Sequence, residues 1–297
     1  MRFSEYFRHP ENPVISLELF PPKNKEARQG LHRVLPGLAA LRPSYMTVTC
    51  GAMGSTRDNT LETAAFIKNK FDIEAACHLT CVGTSRAELR DTLKRTSDAG
   101  IQNIVALRGD PPEGDTDFVP PTDGLAHANE LVAYIRYTEE DDSPFGIAVA
   151  GYPEKHIEAE SLEADIANLK RKVEAGGDIV ITQLFYDNAF YFDYVERLRA
   201  AGIEAPVVPG LMPIRSVAQI RRITSMCGAT LPADLMKKLE TAINDDRKAR
   251  RIGTEQCIRQ ATELLEQGAP GIHFYVLNRL TQIREIIQSL PLPQRVC

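Results

Sequence analysis

Short runs of aliphatic and β-branched residues alternate with longer stretches of helical period along the whole chain. The runs predict strands over residues 14–19, 45–50, 74–79, 102–107, 146–151, 178–184, 206–211 and 271–276. Between them the spacing predicts helices over 25–41, 59–70, 85–99, 123–137, 158–175, 188–201 and 216–226, with 278–290 closing the chain. Two inserted helices, 232–244 and 247–267, precede the last strand. In the 158–175 segment Leu162, Ile166, Leu169 and Val173 form one apolar stripe that stops at Gly176-Gly177. Strand and helix in strict alternation imply parallel strands joined by crossover helices. The pattern predicts an α/β protein with a (β/α)₈ TIM barrel fold, a single domain over residues 1–297 with extra helices before the last strand. A doubly wound open sheet is the runner-up, but no G-x-G-x-x-G follows a strand and no phosphate-loop motif is present.

Polar residues interrupt this pattern where strands finish. Glu18 lies in the apolar run Val14-Ile-Ser-Leu-Glu-Leu-Phe20, which ends at Pro21-Pro22. A carboxylate in such a run is costly to bury, so it is solvated, paired, or held protonated with a raised pKa. An edge strand with Glu18 facing water is the plain structural alternative. Thr49, His78, Asp110 and Gln183 recur late in, or just after, other predicted strands, and active sites of this fold lie at the carboxyl ends of its strands. For Asp110, in Gly-Asp-Pro-Pro, a turn-capping role is the alternative.

Composition narrows the partners. A net charge of -5, with lysines and arginines spread over predicted helix faces, argues against a nucleic-acid partner. The sequence has no continuous apolar stretch of about 18 residues and no signal-peptide core, so it reads as a cytoplasmic protein without a membrane partner. The six cysteines, Cys50, Cys77, Cys81, Cys227, Cys257 and Cys297, are too sparse for a disulfide framework and read as thiols. Cys77 and Cys81 bracket His78, but strand alternation turns both cysteines to one face and His78 to the other, so no metal site is expected.

Nine fragments then appear in the order seen in one family. They are Leu17-Glu-Leu-Phe-Pro-Pro22, Val48-Thr-Cys-Gly51, His78-Leu-Thr-Cys81, Ala106-Leu-Arg-Gly-Asp110, Gly151-Tyr-Pro-Glu154 with His156, Asn168-Leu-Lys-Arg-Lys172, Thr182-Gln183, Pro209-Gly210 and Phe274-Tyr-Val-Leu-Asn-Arg279. Over essentially its whole length the chain resembles the bacterial, single-domain methylenetetrahydrofolate reductases. The resemblance implies a flavoenzyme of one-carbon metabolism and methionine biosynthesis. It would pass a hydride from NADH or NADPH to FAD and then to 5,10-methylenetetrahydrofolate, giving 5-methyltetrahydrofolate by ping-pong kinetics. It also implies a homo-oligomer.

By the same resemblance Glu18 is the general acid, and its apolar flanks agree with a carboxyl kept neutral near pH 7. Asp110 lies near the flavin and the pterin, where its negative charge would stabilise a cationic folate intermediate. The FAD set is Thr49, Cys50, Ala52, His78, Arg108, Gly109, Asp110, Ala128, Tyr152, His156, Ala159, Asp165, Asn168, Arg171 and Lys172. Gln183, Gln219 and Arg279 fall to the substrate. On the 158–175 helix Asp165, Asn168 and Lys172 share a face with Arg171 on its flank, which as residues alone also suits a solvated helix face. Three positions depart from the bacterial pattern: Cys50 where a tyrosine is usual, His127 near the adenine end, and Ile223 where some members stack a phenylalanine on the nicotinamide dinucleotide. Two other functions compete. A flavin-independent reductase or methyl-transfer enzyme would keep Glu18, Gln183 and Gln219 without needing the 165–172 cluster, and a non-catalytic folate-binding subunit would not need the acid.

Overall fold

The computed structural model describes residues 1–8, 12–51, 57–110, 122–137 and 145–293. Its strands are β1 (Val14–Leu19), β2 (Tyr45–Val48), β3 (Glu74–Thr80), β4 (Asn103–Leu107), β5 (Gly146–Gly151), β6 (Ile179–Thr182), β7 (Val207–Val208), β8 (Gly210–Leu211) and β9 (Gly271–Tyr275). They pair in parallel in the order β7-β6-β5-β4-β3-β2-β1-β9-β8. The two ends of that order, β7 and β8, are the predicted seventh strand broken at Pro209, which has no N–H to give to a ladder. Its first half pairs with β6 and its second half with β9, so the sheet returns on itself as a (β/α)₈ barrel.

Closure depends on close approach at Gly210. Its N–H donates to Thr182 Oγ1 at 2.9 Å, and a Cβ there would stand 2.2 Å from the Thr182 carbonyl oxygen. Tyr275 Oη donates to that same carbonyl at 2.7 Å, tying β9 to β6 across the broken strand.

Strand alternation sorts the side chains into two cores. Ile15, Leu17 and Leu19 of β1 face outward and pack with Leu31, Leu35 and Leu38 of α2 (Lys25–Ala39) in the shell between strands and helices. Each such fully buried leucine contributes about 1.5–3 kcal/mol. Cys77 and Cys81 lie in that shell too. Inside the barrel, Val14, Tyr45, Val105, Ala148 and Ile179 form a second cluster at the amino-terminal end. A short helix absent from the sequence expectation, α1 (Phe3–Tyr6), plugs this end: Phe3 packs edge-on against Tyr45 and its N–H donates to Asn103 Oδ1 at 2.7 Å. The carboxyl-terminal half of the interior is polar, with Ser16, Glu18, Thr47, Thr80 and His273 all buried there.

The helices α3 (Arg57–Phe71), α4 (Arg86–Asp98), α5 (Ala128–Tyr137), α6 (Leu162–Glu174), α7 (Asn188–Ala200) and α8 (Val217–Cys227) follow in turn. α9 (Ala233–Glu240) and α10 (Asp246–Glu266) form the insertion before β9, and α11 (Thr281–Ser289) follows it. Side-chain caps set several starts: Ser161 caps α6 and Ser216 caps α8, each accepting a backbone N–H three residues on. α6 and α11 therefore begin later than the periodicity predicts, α11 because Leu277 and Asn278 take left-handed backbone angles. The Asn278 side chain binds both backbone groups of Phe20 at 2.9 Å, locking the exits of β1 and β9 together. No helix among the described residues is long and apolar enough to cross a membrane.

Candidate active site

The carboxyl-terminal mouth of the barrel gathers most of the residues expected there. Glu18 points inward from β1, flanked in register by Thr47 of β2 and Tyr275 of β9. It is 9 % exposed and lies between two imidazoles: His78 Nε2 and His273 Nε2 are each 3.3 Å from its Oε2. The other ring nitrogen of His273, Nδ1, is 2.8 Å from Ser16 Oγ, so a buried chain runs Ser16, His273, Glu18, His78.

This corrects the expectation of a neutral acid. Burial does push the Glu18 carboxyl up, but the charge of His78 and a hydrogen bond from His273 outweigh it and bring the carboxyl down to about 2. Of the three possibilities open to a carboxylate in an apolar run, this one is paired. His273 and Ser16 were not singled out in the sequence, although both had a signal. Each lies two residues before an inward-facing strand residue, Tyr275 and Glu18 respectively, and so shares its face.

The second group surrounds the carboxyl ends of β4 and β5. Lys172 reaches inward from α6, donates to the Ala150 carbonyl at 2.6 Å, and has its amine 5.7 Å from the centre of the Tyr152 ring. Burial lowers its pKa to about 8, with Asp165 opposing the shift. Asp165 is itself buried, raised by that burial, and accepts the His156 N–H at 3.1 Å. Tyr152 and His156 meet edge to face, 4.7 Å between ring centres. Arg108 forms a bidentate pair with Glu158 at 2.7 and 2.9 Å, just before Gly109, whose φ of 88° turns the chain toward exposed Asp110. Asn168 and Arg171 bond to each other on the exposed side of α6, so the helix divides its polar residues between two faces rather than one.

Thr49 and Cys50 are half-buried just past β2, and Ala128 and Ala159 are half-buried at the start of α5 and before α6. Ala52 lies outside the described residues. Gln183, half-buried after β6, accepts the Leu184 N–H through Oε1 at 2.9 Å. Gln219 in the first turn of α8 accepts the Arg215 N–H at 3.0 Å, while its Nε2 is buried with no partner among the described residues. Ile223, one turn on, packs against the cluster of Leu184, Tyr186 and Met212. Arg279 is exposed beyond β9.

The family model described as methylenetetrahydrofolate reductase matches residues 3–291. The chain belongs to the methylenetetrahydrofolate reductase family. It is 35 % identical over 279 residues to the 5,10-methylenetetrahydrofolate reductase of Escherichia coli, covering 93 % of this chain and 90 % of that one. It is 39 % identical over 274 residues to methylenetetrahydrofolate reductase (NADH) 1 of Arabidopsis thaliana, covering 89 % of this chain. It spans about half the length of the plant relatives, 46 % in that case. An uncharacterised protein from Clostridium thermocellum, solved with two copies of 5-methyl-5,6,7,8-tetrahydrofolic acid, shares the fold with a TM-score of 0.67, at 16 % identity over 96 % of both chains.

Proposed function

We propose that this chain is a catalytic barrel that reduces 5,10-methylenetetrahydrofolate to 5-methyltetrahydrofolate at the expense of NADH or NADPH, with FAD as cofactor. The observation that carries the reading is Glu18, a carboxylate held by two imidazoles at the open end of the barrel, within the family's sequence frame.

The donor set fits FAD. A pyrophosphate needs cations or free backbone N–H groups; Arg108 and Lys172 supply cations around the Tyr152 and His156 rings, and Arg171 adds one on the exposed side of α6. Thr49, Cys50, His78, Gly109, Ala128 and Ala159 complete the expected lining. FAD, when bound, supplies a carrier that takes two electrons and a proton's equivalent from the nicotinamide and returns them as hydride to the one-carbon unit.

The chain's own work is proton management and placement. Reduction puts a hydride on the bridging carbon, breaks its bond to N10 and leaves N10 needing a proton. Glu18 is the donor. With an imidazole on each side, carboxylate beside imidazolium and carboxylic acid beside imidazole are two forms of one pair, and exchange between them needs no water. Burial already opposes ionisation of Glu18 more than any other single influence, so a pterin covering the mouth favours the neutral form. Ser16 fixes the His273 ring for that exchange. Asp110 places a negative charge where the folate becomes cationic. Gln219 Nε2, a buried donor without a partner, suits a substrate acceptor, Gln183 offers a second amide, and Arg279 a guanidinium for a carboxylate.

Steady-state turnover tests the reading: methylenetetrahydrofolate with either nucleotide and FAD should give 5-methyltetrahydrofolate, and replacing Glu18 with Gln should stop it. Undiminished product from the Gln variant would sink the assignment of the acid.

A further inference from the structure

We propose that Glu154 is a positioning residue: by holding the backbone of Thr230 it sets α8, which carries Gln219 and Ile223, against the loop that carries Tyr152 and His156. The inference rests on the flavin and folate reading above and adds to it what keeps those two walls of the mouth in register.

The core holds α8 firmly at one end. Val217 and Ile220, in its first turns, are its buried residues, and Ser216 caps the same end. Past Ile220 every residue of the helix is half-buried or exposed, Ile223 among them. A segment with so few buried apolar contacts opens locally at low cost unless something else holds it.

The loop between β5 and α6 does so. The Thr230 N–H, just beyond α8, donates to both carboxylate oxygens of Glu154, at 2.9 and 3.2 Å. Gly228 ends the helix at a φ of 76°, and Ile157 of the loop stands so close that a Cβ on this glycine would lie 2.9 Å from its Cγ2. Loop and helix end therefore meet through one polar and one apolar contact. The loop is itself held in shape. Lys155 takes a left-handed φ of 66°, uncommon for a residue with a side chain, and its amine donates to the Ala159 carbonyl at 2.9 Å and the His156 carbonyl at 3.4 Å. That turn leaves Tyr152 and His156 ring to ring while Glu154, between them in sequence, reaches across to Thr230. Burial and the charge of Asp187 oppose ionisation of Glu154, and the bonds from Thr230 offset them in part. A half-buried carboxylate held in this way makes a stronger tie than a neutral acceptor on the surface.

Three substitutions in the FAD-loaded protein test this. An amide oxygen can still accept from Thr230, so Glu154→Gln should stay within about three-fold of wild type in every readout. Glu154→Asp keeps the charge on a shorter side chain that cannot reach, and should behave like Glu154→Ala. In the Asp and Ala variants, hydrogen exchange across residues 217–230 should speed up by about ten-fold or more, the scale of a lost bond to a charged group. Anaerobic reoxidation of the reduced flavin by methylenetetrahydrofolate should slow by about ten-fold, as expected of a substrate held slightly out of place. The FAD Kd should stay within about two-fold, because the flavin wall itself is intact. If Glu154→Ala does not fold, the Gln and Asp variants alone decide. An Asp variant better than the Gln variant would make the charge the active feature and overturn the inference. Unchanged exchange in the Asp variant, faster exchange with unchanged flavin reoxidation, or a parallel loss of FAD would each overturn it as well. A wild-type protein whose reduced flavin the folate does not reoxidise would overturn the proposed reaction, and the exchange ranking would then decide whether Glu154 holds α8.

Discussion

Glu18 Oε2 and His273 Nε2 face each other across the seam between β1 and β9 at 3.3 Å, joining residues from opposite ends of the chain. The seam is rigid on both sides. Ser16 fixes the imidazole from behind, and the Asn278 clasp on Phe20 holds the two strand exits. A proton can therefore pass between fixed groups, and the site's chemistry depends on strand register rather than on a loop.

If Glu18 serves only the folate step, Glu18→Gln should lower methylenetetrahydrofolate reduction by roughly 10²–10⁴-fold and leave oxidation of the nucleotide within about three-fold. Anaerobic stopped-flow measurement of each half separates the two. Parallel loss of both would make Glu18 a structural or flavin-positioning residue.

Removing one imidazole should change the acid without removing it. His273→Gln takes away one of the groups that hold Glu18 ionised, while burial still pushes the carboxyl up. The Glu18 pKa should rise, and the acid form should persist to higher pH. In the pH profile of the folate step, the limb that reports loss of the acid should move to higher pH relative to wild type, whereas an unmoved limb with a uniformly lower rate would mean that His273 only packs.

The same pairing has a stability consequence. The folded pKa of Glu18, about 2, lies below the ordinary glutamate value of 4.5. The pairing therefore stabilises the fold fully above pH 4.5 and is lost as the pH falls toward 2, a contribution on the order of 3 kcal/mol. Urea unfolding at stepped pH should show wild type losing stability relative to Glu18→Gln within that window. Parallel curves for the two proteins would mean that the carboxyl is not ionised by its neighbours.

Lys172 makes a different prediction, about the cofactor. Its buried amine has a pKa of about 8, so its charge is present below that pH and fades above it unless a bound anion restores it. Lys172→Met should weaken FAD retention by about 10-fold or more, the scale of a lost charge-assisted hydrogen bond. Wild-type FAD affinity, followed by flavin fluorescence, should fall as pH rises past about 8, and the variant should lack that dependence. Equal affinities would remove α6 from the cofactor site.

The barrel was legible because strands buried on both faces read as short apolar runs and the helices between them keep one stripe each. What escaped depends on geometry that periodicity does not carry. α1 has four residues, too few to show a period. Pro209 is plain in the sequence, but that its neighbours pair with two different strands emerges only when the sheet closes. Glu18 stood out as a charge among aliphatic residues, yet its ionisation is set by His273, 255 positions away, and by His78 on β3. Local sequence could say that the carboxylate needed a solution and not which one it has. Lys172 and Asp165 read as a solvated face because only the packing of α6 on β5 turns them inward.

The most direct test of the whole account is an anaerobic absorbance titration of the purified protein in one cuvette, first with NADH or NADPH and then with methylenetetrahydrofolate. A yellow protein is expected, whose flavin band bleaches with a nucleotide and returns when the folate is added. A colourless protein that takes up no added FAD, or a bleached band that the folate does not restore, would contradict it.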